Sequence, residues 1–186
     1  LKKETVDEAK KLIPELKEKA DVIIAVVHMS ESNEYDEQGS GAIDLANACP
    51  DLTAIVAAHE HKAMNQAFHN NILTTENKNG AATLAQMNIK LVKKDNKYVV
   101  EDKTKDVTSK LVWVQDQTTK TINYEADADL SSKFTPYHER AKADAEKVIG
   151  TLKGGDLVPS NEISGIPSAQ VQDTAMIDLI NNVQMN

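Results

Sequence analysis

Cysteine is almost absent from this chain: Cys49 stands alone among 186 residues, so no internal disulfide holds the fold. A chain of this length can bury roughly 70% of its unfolded surface and needs no such staple. Cys49 sits in a small-residue helical stretch, where a thiol reads as a buried core group. A basic excess is also missing. The 21 Lys and Arg face 29 Asp and Glu, for a net charge of −8. An acidic chain is repelled by the nucleic acid backbone, which argues against DNA or RNA duplexes as partners. No apolar run approaches the roughly 18 residues of a membrane span. No secretory signal is visible, but the chain opens on Leu1 rather than methionine. It is therefore expected to begin inside a longer reading frame or after processing, and the missing signal excludes no compartment.

What is present is concentrated at the ends of two apolar runs. Asp21-Val-Ile-Ile-Ala-Val-Val leads into His28, and Leu52-Thr-Ala-Ile-Val-Ala-Ala leads into His59-Glu60-His61. Continuous apolar runs mark strands buried on both faces of a parallel sheet. His28 and His59 are 31 residues apart, about one strand–helix–strand unit. In such a sheet the carboxyl ends of neighbouring strands share one rim, where ligands bind. Three imidazoles are thus expected at one rim, and imidazole is the commonest protein ligand for metals. The bland alternative is surface histidines near strand ends. Glu31, Glu34, Asp36 and Glu37 follow on the same rim and read as a solvated loop with one possible ligand among them. His59-Glu60 is not the zinc-protease helix motif, because Ala63 stands where its second histidine belongs. His69, in a polar loop, and His138, in a charged helix, read as solvated surface.

Elsewhere, Thr5 and Glu8 form a capping box ahead of Val6, Ala9, Leu12, Ile13 and Leu16 at helical spacing. Pro14 is expected to kink or shorten that helix. Ser40 to Ala48 reads as a short helix, and Ile72 to Thr75 as a short strand. Leu84 to Leu91 alternates, with Ala85, Met87, Ile89 and Leu91 on one face. Asp95-Asn96 predicts a hairpin into Tyr98-Val99-Val100, and Leu111 to Val114 is one more strand. Parallel units giving way to antiparallel pairs predict a mixed sheet. From Asp127 the pattern becomes a long charged helix, with Pro136 marking its latest start and Gly150 its end. Leu157-Val158 reads as a short strand, and Val171 to Val183 as a helix with a core-packing stripe.

The run from Asp21 to His28, and Ala57-Ala58-His59-Glu60-His61, resemble the last two metal-binding motifs of the calcineurin-like metallophosphoesterases. Within that superfamily the chain is similar to the bacterial 5′-nucleotidase family, in its 2′,3′-cyclic-nucleotide 2′-phosphodiesterase/3′-nucleotidase branch. The stretch from Gly165 to Gln184 resembles the opening of that family's nucleotide-binding domain, and Tyr137 to Ile149 its linker. The resemblance implies an α/β class: the C-terminal half of a four-layer α/β/β/α sandwich with mixed sheets, plus a linker helix. Residues 1–126 would be the second half of the catalytic domain, 127–150 the linker, and 151–186 the start of the nucleotide-binding domain. It implies two divalent ions, with His28 and His59 on one and His61 on the other. The residues do not distinguish manganese, zinc, iron, magnesium and calcium. It also implies nucleotide substrates and an extracellular, cell-wall or periplasmic parent enzyme.

Two departures stand out. Ala58 occupies the place of the family's glycine, where a left-handed backbone would be strained. The earlier Asp-x-His, Gly-Asp-x-x-Asp and Asn-His motifs do not occur, so the bridging carboxylate is expected in a missing N-terminal half and this chain alone is expected to be inactive. The alternatives are a non-enzymatic metal-binding or scaffold module, or a plain α/β interaction domain.

Overall fold

The computed structural model describes residues 5–34, 37–151 and 153–185. The chain divides into two units, Leu1–Ala126 and Asp127–Asn186.

The first unit is built on a four-stranded mixed sheet of order β1-β2-β4-β3. β1 (Ile24–Val26), β2 (Ala54–Ala57) and β4 (Ile72–Glu76) are parallel, and β3 (Met64–His69) runs antiparallel to β4. The register pairs Ile24 with Ala54, Ala54 with Leu73 and Ala57 with Glu76. Helices α1 (Thr5–Lys19) and α2 (Ala42–Ala48) supply one side of the core. Ile13, Leu45, Ala46 and Cys49 pack there with Ile23, Ile55 and Ile72. On the other face, Ala54 and Leu73 meet Val107, Phe68, Met87 and Ile89. Those residues belong partly to a second sheet, in which β5 (Thr83–Ile89) pairs antiparallel with β8 (Val107–Trp113). The hairpin of β6 (Val92–Lys94) and β7 (Lys97–Val99) turns on Asp95 and Asn96, both with positive φ as a type I′ turn requires. A helical turn, α3 (Lys103–Asp106), precedes β8 and is capped by the Asp102 carboxylate, which accepts from the Thr104 amide.

Several local expectations are corrected. Pro14 lies inside α1, which continues to Lys19; Pro14 and Lys10 are exposed, so the Lys10 carbonyl that the proline leaves unpaired can face water. β3 replaces the polar loop expected around His69. Its backbone is bulged between Met64 and Ala67, and its amide side chains bind the second sheet. Asn65 Oδ1 accepts from Leu111 N at 2.8 Å and Gln66 Oε1 from Ser109 N at 3.1 Å.

In the second unit, α4 (Ala128–Ala145) is capped by Asp127, whose carboxylate accepts from Leu130 N at 2.9 Å. The helix runs through Pro136 and stops before Gly150, at Ala145. Thr135 Oγ1 donates to the Ser131 carbonyl at 2.7 Å beside the proline. Leu157-Val158 is not a strand; its Leu157 carbonyl instead accepts from Met176 N at 3.1 Å. α5 (Ala175–Met185) starts later than its apolar pattern, and Leu179, Ile180 and Val183 are exposed rather than core.

Candidate functional site

The parallel pairing of β1 and β2 continues past both strands. Val27 N donates to Val56 O at 2.9 Å, and Ala58 N to Met29 O at 3.3 Å. His28 and His59 are therefore delivered side by side at the carboxyl rim. Their rings meet edge to face with centroids 5.1 Å apart, and His28 Nε2 lies 3.1 Å from His59 Nδ1. Two ligands bound about 2.0–2.1 Å from one ion stand roughly 2.8–3.0 Å apart at octahedral angles and roughly 3.3–3.4 Å apart at tetrahedral ones. The same separation suits an imidazole–imidazole hydrogen bond when no ion is bound. Both rings are exposed, so the pair is open to solvent.

A ring of polar groups holds the two loops together. Ser30 Oγ donates to Glu34 Oε1 at 2.9 Å, and that oxygen lies 3.6 Å from His59 Nε2. The Ser30 hydroxyl first, and then a backbone hydrogen bond with Ser30, keeps the Glu34 carboxyl below the usual carboxylate range. Glu31 N donates to Glu60 Oε2 at 3.2 Å, tying the loop after β1 to the loop after β2. The Lys62 ammonium sits 2.8 Å from the same Glu60 oxygen and 3.7 Å from Glu31 Oε2. It is the main cause of the lowered Glu60 pKa, and Glu60 raises that of Lys62 in turn.

His69 corrects the sequence reading. It ends β3 and puts Nε2 3.1 Å from Glu31 Oε1, inside the rim network rather than on solvated surface. His138 is on the exposed α4. His61 is exposed and is not gathered with His28 and His59: among the described residues, no group of three or more His, Cys, Asp or Glu could hold a metal ion. Asp36 lies outside the described residues, and Glu37 is exposed. Ala58, in the place of the family's glycine, does not take a left-handed backbone; positive φ falls on His59 (φ 92) and His61 (φ 56). Non-glycine residues rarely adopt that conformation, and such outliers cluster at functional sites.

The donor set thus fits two positions on a divalent ion but does not complete a site. Two neutral imidazoles supply no anionic bridge, and the nearest carboxylate, Glu34, is held by Ser30. Sequence reasoning found His28 and His59 from strand patterning. It missed Glu60, Lys62 and His69, because contacts between loops leave no periodic signal. It also missed Glu76, which is wholly buried at the end of β4 with neither carboxylate oxygen hydrogen-bonded. The Thr74 hydroxyl, two residues earlier on the same strand, is unpartnered as well.

The sequence matches no family profile and no curated protein. Among solved structures, the chain is similar to the calcineurin-like phosphoesterase YfkN from Bacillus subtilis, with a TM-score of 0.62 and 19% identity over 77% of this chain. It is also aligned with the Staphylococcus aureus protein named Putative 5′-Nucleotidase, at a TM-score of 0.47 and 15% identity over 75% of this chain. The chain spans 45% of the first structure and 27% of the second. Over the matched region its mixed-sheet architecture is similar in fold to that calcineurin-like phosphoesterase.

Proposed function

We propose that this chain is the histidine-bearing part of a metal-dependent phosphoesterase whose substrates are nucleotides. The observation that carries the reading is the His28–His59 pair, 3.1 Å apart at the ends of adjacent parallel strands. Their side chains would hold one divalent ion, with His61 directed to a second. Ions of that kind lower the pKa of bound water and neutralise charge on a phosphoryl group. The work of this chain is to fix the imidazoles: β1 and β2 set their spacing, and Glu60 ties their loops. The carboxylate that such a centre needs would come from polypeptide outside these 186 residues. Nucleotides, including 2′,3′-cyclic ones, are the proposed substrates, because residues 165–184 resemble a nucleotide-binding domain. The proposed location is outside the cytoplasm, on the same resemblance.

The test is hydrolysis of bis(p-nitrophenyl) phosphate and of 2′,3′-cyclic AMP, with manganese or zinc, by the polypeptide as the cell makes it. Activity that disappears in His59→Ala supports the reading; activity indifferent to both His28→Ala and His59→Ala overturns it. The absence of a third ligand among the described residues favours a second reading, a metal-binding scaffold without catalysis. Metal bound through His28 and His59 with no hydrolysis of either ester would select it.

A further inference from the structure

The connection from β4 to β5 carries the chain's single Asn-Gly step, Asn79-Gly80. Ala82 N donates to Asn79 O at 3.2 Å, which closes a tight turn. At its centre Gly80 (φ 63) and Ala81 (φ 55) both have positive φ, as a type I′ turn requires. The base of the turn is locked. Thr83 is buried, and its Oγ1 accepts from Lys78 N at 2.8 Å and donates to Asn77 Oδ1 at 3.1 Å. The tip is open. Asn79, Gly80 and Ala81 are exposed, and apart from its chain neighbours nothing lies within 4 Å of where a Gly80 side chain would start. Among the described residues, neither the Asn79 carboxamide nor the Gly80 amide makes a hydrogen bond.

We infer that Asn79-Gly80 is a site of spontaneous covalent modification, at which the exposed carboxamide is converted to isoaspartate and aspartate. Glycine has no Cβ to shield its nitrogen from close approach. The Gly80 nitrogen, on losing its proton, attacks Asn79 Cγ. A C–N bond forms, closing a cyclic imide, and the carboxamide C–N bond breaks, releasing ammonia that carries off the proton. Water then adds to the ring. Opening at the α-carbonyl leaves isoaspartate, in which the backbone runs through Cβ and Cγ; opening at Cγ leaves aspartate. Nothing is oxidised or reduced, and water is the only co-reactant. Asn77 is the internal contrast. Its oxygen is held by Thr83, and the nitrogen that would attack it, Lys78 N, is committed to Thr83 Oγ1. Isoaspartate at position 79 turns the carbonyl that accepts from Ala82 N into a carboxylate off the main chain. It also lengthens the turn, so the entry to β5 loosens.

Incubation of the purified chain at mildly alkaline pH, followed by peptide mapping with mass spectrometry, tests this. Asn79 should convert roughly tenfold faster than any other asparagine, at a rate that rises with hydroxide concentration. The product should accept a methyl group from an isoaspartate-specific carboxyl methyltransferase. Gly80→Ala should slow the conversion, because a Cβ shields the attacking nitrogen. Asn79→Gln should abolish the methyl labelling and leave Tm unchanged, since the side chain it replaces is exposed and unbonded. Should Gly80→Ala fail to fold at its positive φ, Asn79→Gln decides alone. Asn77 converting as fast as Asn79 would overturn the inference. So would an Asn79 that survives conditions under which a free peptide of the same sequence is converted. In the isoaspartyl form, separated by ion exchange, the Ala82 amide should exchange its hydrogen faster; unchanged exchange would overturn the loosening of the turn.

Discussion

The Glu60 carboxylate accepts the backbone amide of Glu31 across two loops that are 29 residues apart in sequence. One side chain thereby fixes the His28 loop to the His59 loop. Glu60→Ala should weaken binding of a single zinc ion by roughly tenfold, the lower range for losing a group that orients a ligand. Glu60→Gln keeps an acceptor oxygen and should lose less. Competition against a chromophoric chelator measures both, and equal affinities for all three proteins would deny Glu60 its positioning role.

The pH dependence of that tie has a definite sign. Lys62 lowers the Glu60 carboxyl and Ser30 lowers Glu34. A lowered carboxyl stabilises the folded arrangement above its ordinary value of about 4.3, and that contribution is lost as pH falls through the lowered value. The protection factor of the Glu31 amide should therefore hold from pH 7 to about 4.5 and fall below it. Loss of protection already complete at pH 5 would contradict the assignment.

The 186-residue chain by itself should bind at most one divalent ion and hydrolyse no phosphoester. Two dications about 4 Å apart repel by roughly 16 kcal/mol at an effective dielectric of 20, and neutral imidazoles do nothing to offset this. Calorimetric titration with zinc should give a stoichiometry no higher than one. Two tightly bound ions, or turnover of bis(p-nitrophenyl) phosphate, would reveal ligands that the rim geometry does not supply.

Gly41, at the start of α2, has room for no side chain. A Cβ there would lie 2.6 Å from the Ser32 carbonyl carbon and 2.8 Å from Asn33 N. Gly41→Ala should cost about 1–3 kcal/mol by overpacking. Because the displaced backbone follows directly on Glu31, zinc affinity should fall along with Tm. A normal Tm would show that the loop moves aside freely.

Glu76→Met should raise stability. A buried carboxyl group with neither oxygen hydrogen-bonded is costly, and its apolar replacement is often stabilising, by about 1–4 kcal/mol. At this chain length each kcal/mol moves Tm by about 2–4 °C. A lower Tm in the variant would mean that Glu76 has found a partner.

Strand–helix–strand order, the hairpin at Asp95-Asn96 and the alternation of Ala85, Met87 and Ile89 were legible because each obeys a local period. β3 was not: Met64-Asn-Gln-Ala-Phe-His has no β-branched residue, and its order comes from pairing with β4 and from Asn65 and Gln66 side-chain bonds to β8. β8 begins at Val107, four residues before its aliphatic centre, because burial against Ala54 and Leu73 extends it. α4 passes Pro136 because an exposed helix can leave a carbonyl to water. In the site, His28 and His59 could be read from the runs preceding them. Their 3.1 Å approach depends on β1–β2 register, and the Glu31–His69 pair on a loop meeting the end of β3, neither of which is written in spacing.

His59 and His61 both stand in left-handed backbone without the freedom that glycine would bring. The bend between β2 and β3 is therefore kept by tension from its anchors rather than by softness of the chain. Glycine at either position would relax the bend and let it wander; histidine keeps it taut, like a sprung catch. Releasing Glu60 or Lys62 should then let it open as a unit, carrying both imidazoles away together.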